Sequence, residues 1–313
     1  MGIRGLNYYI KKHTRDTVIK KTFTDYTGEI IVIDASIYIY QFLMSKNYIE
    51  NLFIMISKFM KYKITPIFVF DGGIPTEKKV LIEERKRKKL KNKQEYEKLC
   101  IEYEKMIETN NANNDTKIEK MKKLINNKRK SSIKIKKKHI ETIKKIFDVF
   151  GVQYLNADGE ADILCAKIVK DGKAKACLSE DTDLFVYGCP IVLRYFNLYK
   201  ETFVEYKLTT ILNNLELDFN SFQDICIISG TDYNESQYQI NTLYDIYMNE
   251  YKKNNTENCS FYNWFKQNHC DINLDNIYKL FNTNDISYKI NDKSLIQINL
   301  LKNTLLPHNF IFI

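Results

Sequence analysis

The sequence lacks an apolar run long enough to cross a lipid bilayer, which takes about 18 residues. Its best candidate, residues 52–60, is short and is interrupted by Lys58. The first residues have no apolar signal-peptide core, and Leu6 stands where a myristoylation signal has serine or threonine. We therefore expect a globular protein without a membrane span, a targeting segment or a lipid anchor.

The sequence also lacks a regular cysteine pattern. Its seven cysteines are an odd number and include no C-x-x-C pair, which disfavours a disulfide framework and a zinc site. Free structural thiols indicate an intracellular location: the nucleus for a cellular protein, and the host cytoplasm or nucleus for a viral one. No internal repeat indicates a solenoid.

Positive charge is concentrated in one part of the chain. With 44% hydrophobic and 28% charged residues, the 313 residues can bury the core of one or two domains. Residues 78–138 contain 22 Lys and Arg against 9 Asp and Glu, whereas the rest contains 26 against 30. This basic insert on a slightly acidic body predicts a polyanionic partner that binds one face.

The order of the elements predicts an α/β fold with a mostly parallel central sheet flanked by helices. Residues 29–35 and 65–72 are β-branched or aromatic runs typical of buried parallel strands, and a helical stretch separates them. Further strands are expected at 152–155, 174–178, 190–196 and 201–206, and helices at 140–150, 163–169 and 221–229. We expect one domain over residues 1–240 and a small helical extension over 241–313.

A basic helical arch is expected within residues 73–140. Apolar residues recur there at intervals of three and four, on both sides of an Asn-rich break at 110–114: Tyr96, Leu99, Tyr103 and Met106, then Ile118, Met121 and Ile125. This pattern predicts a helical hairpin with a thin apolar seam. A solvated coiled-coil insertion is the alternative, but a position directly after an acid-tipped strand favours a functional role.

Acids follow the predicted strands or begin the predicted helices at seven positions: Asp34, Asp71, Glu160, Asp162, Asp181, Asp183 and Asp232. Carboxylates gathered at one sheet edge repel each other and raise each other's pKa values unless cations neutralise them. Oxygen ligands favour Mg²⁺ or Mn²⁺, and two such ions about 3.5–4 Å apart suit attack on a phosphodiester. A single aspartate is more often a cap or a surface residue, but that explanation is weak for all seven together.

Glu160 and Asp162 impose a local requirement. Side chains two residues apart diverge by about 200° within a regular helix, so these two can converge only where a strand passes into a helix. Open α/β sheets place their active sites at such junctions.

Short motifs over residues 1–240 resemble flap endonucleases, members of the structure-specific 5′ nuclease family. The matching segments are Met1-Gly2-Ile3-Arg4-Gly5-Leu6, Asp34-Ala35-Ser36 with Tyr40-Gln41-Phe42, Phe70-Asp71-Gly72, Gly159-Glu160-Ala161-Asp162, Ser179-Glu180-Asp181-Thr182-Asp183 and Gly230-Thr231-Asp232-Tyr233. The resemblance implies that the seven acids bind two Mg²⁺ ions, with Mn²⁺ as a substitute, and that Asp181 is among the catalytic acids. Lys78 and Arg85 are seven residues apart, which puts them on one face of a predicted helix. The resemblance implies that both contact the scissile phosphate.

The resemblance implies further contacts with DNA. Tyr40 would stack on a base beside the cut, and Gly2 would pack beside the active site. The arch would hold a single-stranded 5′ arm, with Lys134, Lys136, Lys137 and Lys138 among its phosphate contacts. A core aromatic is the alternative for Tyr40, and a simple structural role is the alternative for Gly2.

The chain departs from the family pattern at two places. Gln239 and Asn241 stand where the family has glycines in a hairpin that holds K⁺ and the duplex, so neither K⁺ dependence nor this mode of duplex binding is carried over from the resemblance. Residues 304–313 lack the pattern with which cellular members hold the sliding clamp, so clamp binding is not supported. A composition rich in Lys, Asn, Ile and Tyr would suit a compact member from an AT-rich genome, such as that of a large DNA virus.

We expect a monomeric 5′ flap endonuclease and 5′–3′ exonuclease that acts on branched DNA in replication, repair or recombination. One alternative is a non-catalytic protein that binds branched DNA, and retention of all seven acids counts against it. The other is an RNase of a related acid-rich fold, against which the arch and the pair Lys78 and Arg85 count. The sequence does not rank flap, gap, bubble and four-way-junction substrates.

Overall fold

The computed structural model describes residues 2–14, 18–45, 47–73, 75–108, 115–254, 259–270, 272–290, 295–308 and 310. Met1 and the expected break at 110–114 lie outside them. The strands of the described part are β1 (Val18–Thr22), β2 (Ile30–Asp34), β3 (Thr65–Phe70), β4 (Gln153–Asn156), β5 (Ala176–Leu178), β6 (Ile191–Asn197) and β7 (Thr202–Lys207).

Helices surround these strands and form the arch. They are α1 (Leu6–His13), α2 (Ala35–Met44), α3 (Tyr48–Lys61), α4 (Lys79–Glu108), α5 (Asp115–Ser132), α6 (Lys137–Phe150), α7 (Ala161–Lys170), α8 (Asp183–Val186), α9 (Leu208–Leu215), α10 (Phe219–Ile228), α11 (Ile240–Ile246), α12 (Lys252–Asn254), α13 (Phe261–Asn268), α14 (Asp275–Leu280) and α15 (Ile298–Leu305). Short 3₁₀ turns cover Phe23–Tyr26, Thr76–Lys78 and Leu306–His308, and a π turn covers Tyr247–Tyr251. Among the described helices, none has the length and apolarity to cross a bilayer.

The strands form one sheet in the order β1-β7-β6-β5-β2-β3-β4. Strands β6, β5, β2, β3 and β4 run parallel to one another, and β7 and β1 add an antiparallel edge. The predicted α/β fold with a mostly parallel sheet is therefore confirmed. Parallel strands are buried on both faces, which explains the continuous apolar runs of β2 and β3.

Helices cover both faces of the sheet. Side chains alternate along β2, so that Val32 joins one core cluster while Ile31 and Ile33 join the other. The cluster of Val32 includes residues of α1, α7, α9 and α10, and the opposite cluster includes residues of α2, α3 and α6. The carboxyl edge of the parallel strands lies between these two layers.

The antiparallel edge differs from the regular alternation that the sequence suggests. The segment between β6 and β7 is only a few residues long, whereas a parallel crossover needs about a dozen. These two strands therefore form a hairpin. Strand β1, which the sequence pattern did not predict, pairs with β7 at the sheet edge and carries Lys20 and Lys21 there. Lysines are common on edge strands because they oppose pairing with another chain.

The arch consists of the two long helices α4 and α5, which confirms the predicted helical hairpin. Helix α4 contains no buried residue. The seven predicted seam residues are half-buried, whereas most of the residues between them are exposed. Lys128 of α5 forms an ion pair with Glu95 of α4 and donates to Asn92 at 3.2 Å. Arg129 donates to the Met44 carbonyl at 2.7 Å, which joins the arch to α2.

The C-terminal helices share the two cores of the sheet. Phe261 and Phe265 of α13 belong to the same cluster as α10, and Leu301 and Leu305 of α15 belong to the same cluster as α6. Buried Asp224 of α10 ties this region together, because it accepts the Tyr262 amide at 2.9 Å and the Tyr278 hydroxyl at 2.6 Å. Burial raises the pKa of Asp224 to about 6. The boundary at residue 240 stays a prediction.

The raised pKa of Asp224 predicts a defined pH dependence of stability. A carboxyl that binds a proton more tightly in the folded state stabilises it fully below pH 4, and this contribution is lost as pH rises through about 6. Relative to Asp224→Asn, the wild-type free energy of unfolding should fall by roughly 3 kcal/mol between pH 4 and pH 7, at about 1.4 kcal/mol for each pKa unit. Urea unfolding at several pH values measures this difference.

Asp218 offers a control of opposite sign. Hydrogen bonds from Ser221 outweigh the burial of this helix cap and lower its pKa, so its contribution to stability is present above the usual aspartate pKa of about 4 and is lost as pH falls below it. Asp218→Asn should therefore cost nearly the same stability at pH 7 and at pH 5, and less at more acidic pH. A pH-independent difference between wild type and Asp224→Asn would contradict the assignment.

Candidate active site

Asp34 and Asp71 stand side by side at the carboxyl edge of the sheet. Asp34 is the last residue of β2 and caps α2, because its side chain accepts the Ser36 amide at 3.1 Å. Asp71 follows β3 and accepts the Ala161 amide, at the start of α7, at 3.0 Å. The Ser36 hydroxyl donates to Asp71 and so links the two strand ends. Adjacent parallel strands thus bring together acids that are far apart in sequence.

A close approach of two loops fixes Glu160 and Asp162 beside Asp71. The amides of Gly72 and Gly73 donate to the carbonyls of Gly159 and Asp158, each at 2.8 Å. A Cβ atom on Gly72 would lie 1.9 Å from the Ala157 carbonyl oxygen, so only glycine fits there. Glu160 is the N-cap of α7, and Asp162 lies in its first turn. Both acids therefore occupy the strand-to-helix junction that their spacing required.

Asp181 and Asp183 approach from β5, the neighbour of β2 on its other side. Ser179 links the strands, because its hydroxyl donates to Asp34 at 3.3 Å and accepts the Asp181 amide at 3.2 Å. Asp181 in turn accepts the Asp183 amide at 3.0 Å, where α8 begins. Both aspartates are buried.

Gly2 packs directly against these two acids. A Cβ atom built on Gly2 would lie 2.2 Å from Asp181 Oδ1 and 2.5 Å from Asp183 Oδ1. Its φ of +83° is also a conformation that favours glycine. The structure therefore places Gly2 beside two of the acids, and its role in DNA binding stays a prediction.

Asp232, which follows α10, faces two cations from the base of the arch. Arg85 Nη2 lies 3.0 Å from Asp232 Oδ2, and Lys78 Nζ lies 3.7 Å from the same atom. Lys78 also donates to both oxygens of Glu160, at 2.7 and 2.9 Å. Lys78 ends the 3₁₀ turn that precedes α4, whereas Arg85 lies within α4. The prediction that both residues lie in one helix is therefore wrong for Lys78. Both cations nevertheless reach the acids.

Burial and mutual repulsion raise the pKa values of the central acids. Burial, with the charges of Asp71 and Asp181, raises the pKa of Asp34 to about 7. Burial and neighbouring aspartates raise the pKa values of Asp162 and Asp183 well above their usual range. Burial alone would lower the pKa of Lys78, but the charges of Glu160, Asp183 and Asp232 outweigh it and raise that pKa.

Two carboxylate oxygens of the seven acids at this site have no donor among the described residues. Asp162 Oδ1 and Asp183 Oδ1 are buried and have no hydrogen-bond partner. A buried acceptor without a donor is costly, and a cation is one means of satisfying it. Within the described residues, no group of three or more His, Cys, Asp or Glu side chains is arranged around one point as a finished metal site. The two oxygens without donors and the all-oxygen set of ligands fit a hard divalent cation. Glu160 and Asp232 instead form ion pairs with Lys78 and Arg85.

The remaining predicted residues lie on or beside the arch. Tyr40 is half-buried and is not part of either core cluster: its hydroxyl donates to the Lys130 carbonyl at 3.2 Å, and Lys89 Nζ lies 5.1 Å from its ring centre. Lys134, Lys136, Lys137 and Lys138 are exposed, between α5 and α6 and at the start of α6. The structure does not bring these four lysines into contact with the acids.

Sequence reasoning assigned no role to three residues that hold the site together. Ser36 and Ser179 link neighbouring strand ends. The Tyr233 hydroxyl donates to Glu160, and the Lys78 ammonium nitrogen lies 4.3 Å from the centre of the Tyr233 ring. All three lie inside the acidic motifs. Their closeness to the acids in sequence could have identified them. The direction of their side chains, which decides the contacts, could not be predicted from the sequence.

Comparisons with known proteins agree with this architecture. Residues 1–94 match the XPG N-terminal domain, and residues 151–232 match the XPG I-region. Flap endonuclease 1 of Saccharomyces cerevisiae is 30% identical over 255 residues, which cover 75% of this chain and 62% of the relative. The chain thus spans about 62% of the length of the curated relatives that it matches.

Solved structures show the same fold. The catalytic core of Rad2 in complex with DNA substrate has a TM-score of 0.64 at 18% identity and covers 97% of this chain and 93% of that one. Flap endonuclease-1 from Methanococcus jannaschii has a TM-score of 0.63 at 22% identity and covers 94% and 91%. The chain therefore belongs to the XPG and flap endonuclease family.

The repulsion among the acids predicts that Asp183 lowers the stability of the metal-free protein. Asp183→Asn removes a buried carboxylate whose Oδ1 has no donor and whose charge is repelled by Asp181, so the metal-free variant should melt higher than wild type at pH 8, by roughly 2–4 °C for each kcal/mol gained. Mg²⁺ should raise the melting temperature of wild type, and it should raise that of the variant much less. Calorimetry with Mg²⁺ or with chelator measures both.

Asp158→Asn is the matched control, because Asp158 is an exposed acid in the loop between β4 and α7, at the same edge of the sheet. It should alter neither melting temperature appreciably. A metal-free Asp183→Asn protein that melts below wild type would contradict the proposed strain.

Proposed function

We propose that the protein is a metal-dependent, structure-specific DNA nuclease that removes 5′ flaps and acts as a 5′–3′ exonuclease. The observation that carries this proposal is the acid-lined sheet edge, with two unpartnered buried carboxylate oxygens, which faces Lys78 and Arg85 at the base of a basic arch. Carboxylates suit metal binding, and the cations suit a phosphate placed against them. Family membership supports the same activity.

The acids and cations have separate tasks in this reaction. Two Mg²⁺ ions, with Mn²⁺ as a substitute, would be held by the acids Asp34, Asp71, Glu160, Asp162, Asp181, Asp183 and Asp232. The chemistry that such ions supply is activation of the attacking water and neutralisation of negative charge on the oxygens. Lys78 and Arg85 would donate to the scissile phosphate and stabilise the charge of the transition state. Gly2 permits close packing against Asp181 and Asp183.

DNA would be recognised through the arch and its base. Tyr40 stands where the arch meets α2 and offers a face for base stacking, and the exposed lysines at 134 and 136–138 offer phosphate contacts. Branched or flapped DNA in replication, repair or recombination is the proposed substrate, and a monomer is the proposed form. The described cysteines form no disulfide with one another, and an intracellular location is proposed. A non-catalytic DNA-binding protein and an RNase are the rival functions.

Cleavage assays on labelled flap, nick, bubble and single-stranded DNA and on RNA test the proposal. We expect Mg²⁺-dependent cleavage of flapped DNA, which chelator abolishes. Asp181→Ala should abolish cleavage and leave DNA binding near wild type, because it removes a metal ligand and leaves the arch intact. Asp158→Ala, which removes an exposed acid nearby, is the control. Turnover of Asp181→Ala near the wild-type rate would reject the two-metal assignment, and preference for RNA would favour the rival enzyme.

Substitution of Lys78 and Arg85 separates chemistry from binding. Each alanine variant should lose about 10²–10³ in single-turnover rate and much less in affinity, because these groups would meet charge that develops in the transition state. Lys79→Ala and Arg87→Ala are matched controls, since both residues are exposed on α4. Losses confined to affinity would make Lys78 and Arg85 anchors of the DNA backbone.

The arch lysines predict a salt effect. Neutralising Lys134, Lys136, Lys137 and Lys138 should lower the salt slope of flap binding by about 0.7 for each phosphate of single-stranded DNA that the variant no longer binds. Neutralising four exposed lysines away from the arch, Lys173, Lys175, Lys200 and Lys207, is the control of equal charge. If the insertion is merely solvated, the two quadruple variants will bind and cleave alike.

A further inference from the structure

Lys78 has an environment that no other described lysine shares. Among the lysines that the structure describes, it alone is buried, with 7% of its surface exposed. Its ammonium nitrogen lies 2.7 and 2.9 Å from the Glu160 oxygens and 3.7 Å from Asp232 Oδ2. These are two of the acids assigned to the cation site. The positive charge among the acids is thus already supplied by a side chain of the protein.

Tyr233 holds Lys78 in that position. The Lys78 ammonium lies 4.3 Å from the centre of the Tyr233 ring, which is the geometry of a cation–π contact. The Tyr233 hydroxyl donates to Glu160 and lies 3.1 Å from the hydroxyl of buried Tyr187. A turn fixes the backbone, since the Tyr233 amide donates to the Thr231 hydroxyl at 2.9 Å. Tyr233 therefore contacts both partners of the Lys78–Glu160 pair.

We propose that Lys78 is an internal counter-ion, positioned by Tyr233, that competes with the divalent cation for Glu160 and Asp232. This inference rests on the proposed function, because it presupposes that these acids bind a metal. An ammonium group hydrogen-bonded to both Glu160 oxygens repels a second cation and occupies the lone pairs that it needs. Cation entry therefore requires Lys78 to withdraw, and the withdrawn Lys78 is then available to a substrate phosphate.

The competition predicts coupling between the two ligands. A phosphate that takes Lys78 away from Glu160 should strengthen binding of the cation, and by linkage the cation should strengthen binding of the phosphate by the same factor. The Tyr233 ring acts in this scheme only through Lys78, so Tyr233 is a positioning residue, whereas its hydroxyl contacts Glu160 directly.

Mn²⁺ binding to the metal-free protein, without DNA, tests the proposal. Free Mn²⁺ counted by electron paramagnetic resonance should show that Lys78→Met binds Mn²⁺ about tenfold more tightly than wild type, because a charge in contact with the ligands is gone. Lys78→Arg keeps the charge and should stay within about threefold of wild type. Lys79→Met removes the same charge from the exposed neighbour and should leave affinity unchanged.

Tyr233 variants test positioning separately. Tyr233→Leu and Tyr233→Phe both lose the hydroxyl that contacts Glu160, and only Tyr233→Leu also loses the ring, so Tyr233→Leu should bind Mn²⁺ about threefold or more tightly than Tyr233→Phe. In a Lys78→Met background, Tyr233→Leu and Tyr233→Phe should bind Mn²⁺ alike, since the ring acts through the lysine. A merely structural tyrosine would alter affinity equally in both backgrounds. If Lys78→Met does not fold, the comparison of the two Tyr233 variants carries the test.

The outcomes distinguish this inference from the proposed function. Equal or weaker Mn²⁺ binding by Lys78→Met, with clear binding by wild type, overturns the competition and leaves the metal site intact. Absence of Mn²⁺ binding from wild type and every variant overturns both. Tight binding by Lys78→Met that Lys78→Arg does not share supports the competition.

Discussion

Buried carboxylates that repel one another need opposing attractions, and at the carboxyl edge of this sheet backbone amides, two serines and two cations supply them. The Ser36, Ala161 and Asp183 amides each donate to an aspartate of the site, and Lys78 and Arg85 neutralise Glu160 and Asp232. These attractions leave Asp162 Oδ1 and Asp183 Oδ1 without donors. A chain selected only for stability would not retain that arrangement, because each orphaned oxygen costs free energy.

The parallel sheet makes this gathering of charge possible. Strands β5, β2 and β3 are neighbours, and each ends near acids, so the pairing of the strands sets the spacing of the carboxylates. The core clusters on the two faces of the sheet hold the strands rigidly on either side. Gly2 allows backbone to approach Asp181 and Asp183, and Gly72 allows backbone to approach the Ala157 carbonyl, more closely than any side chain would permit. Packing therefore supplies the free energy that the charged edge requires.

The arch connects this edge to the basic insert of the sequence. Helix α4 starts directly after Lys78, and Arg85 lies near its start, so one cation just before this basic helix and one within it reach the acids. Tyr40 and Met44 of α2 contact Lys130 and Arg129 of α5 at the same end of the arch. Displacement of the base of α4 would therefore move both the cations and the first part of the arch.

The sequence by itself determined the elements whose signal is local. Continuous apolar runs indicated β2 and β3, three-and-four periodicity indicated the arch, and the spacing of Glu160 and Asp162 required a strand-to-helix junction. Only the tertiary structure decided the antiparallel pairing of β6, β7 and β1. The direction in which two strands pair leaves no pattern in either strand, and β1, with 5 residues, is too short to show a clear alternation. The tertiary structure also decided that Lys78 is buried between Glu160 and Asp232 over Tyr233, since contacts across 82 and more residues depend on chain packing and not on local spacing.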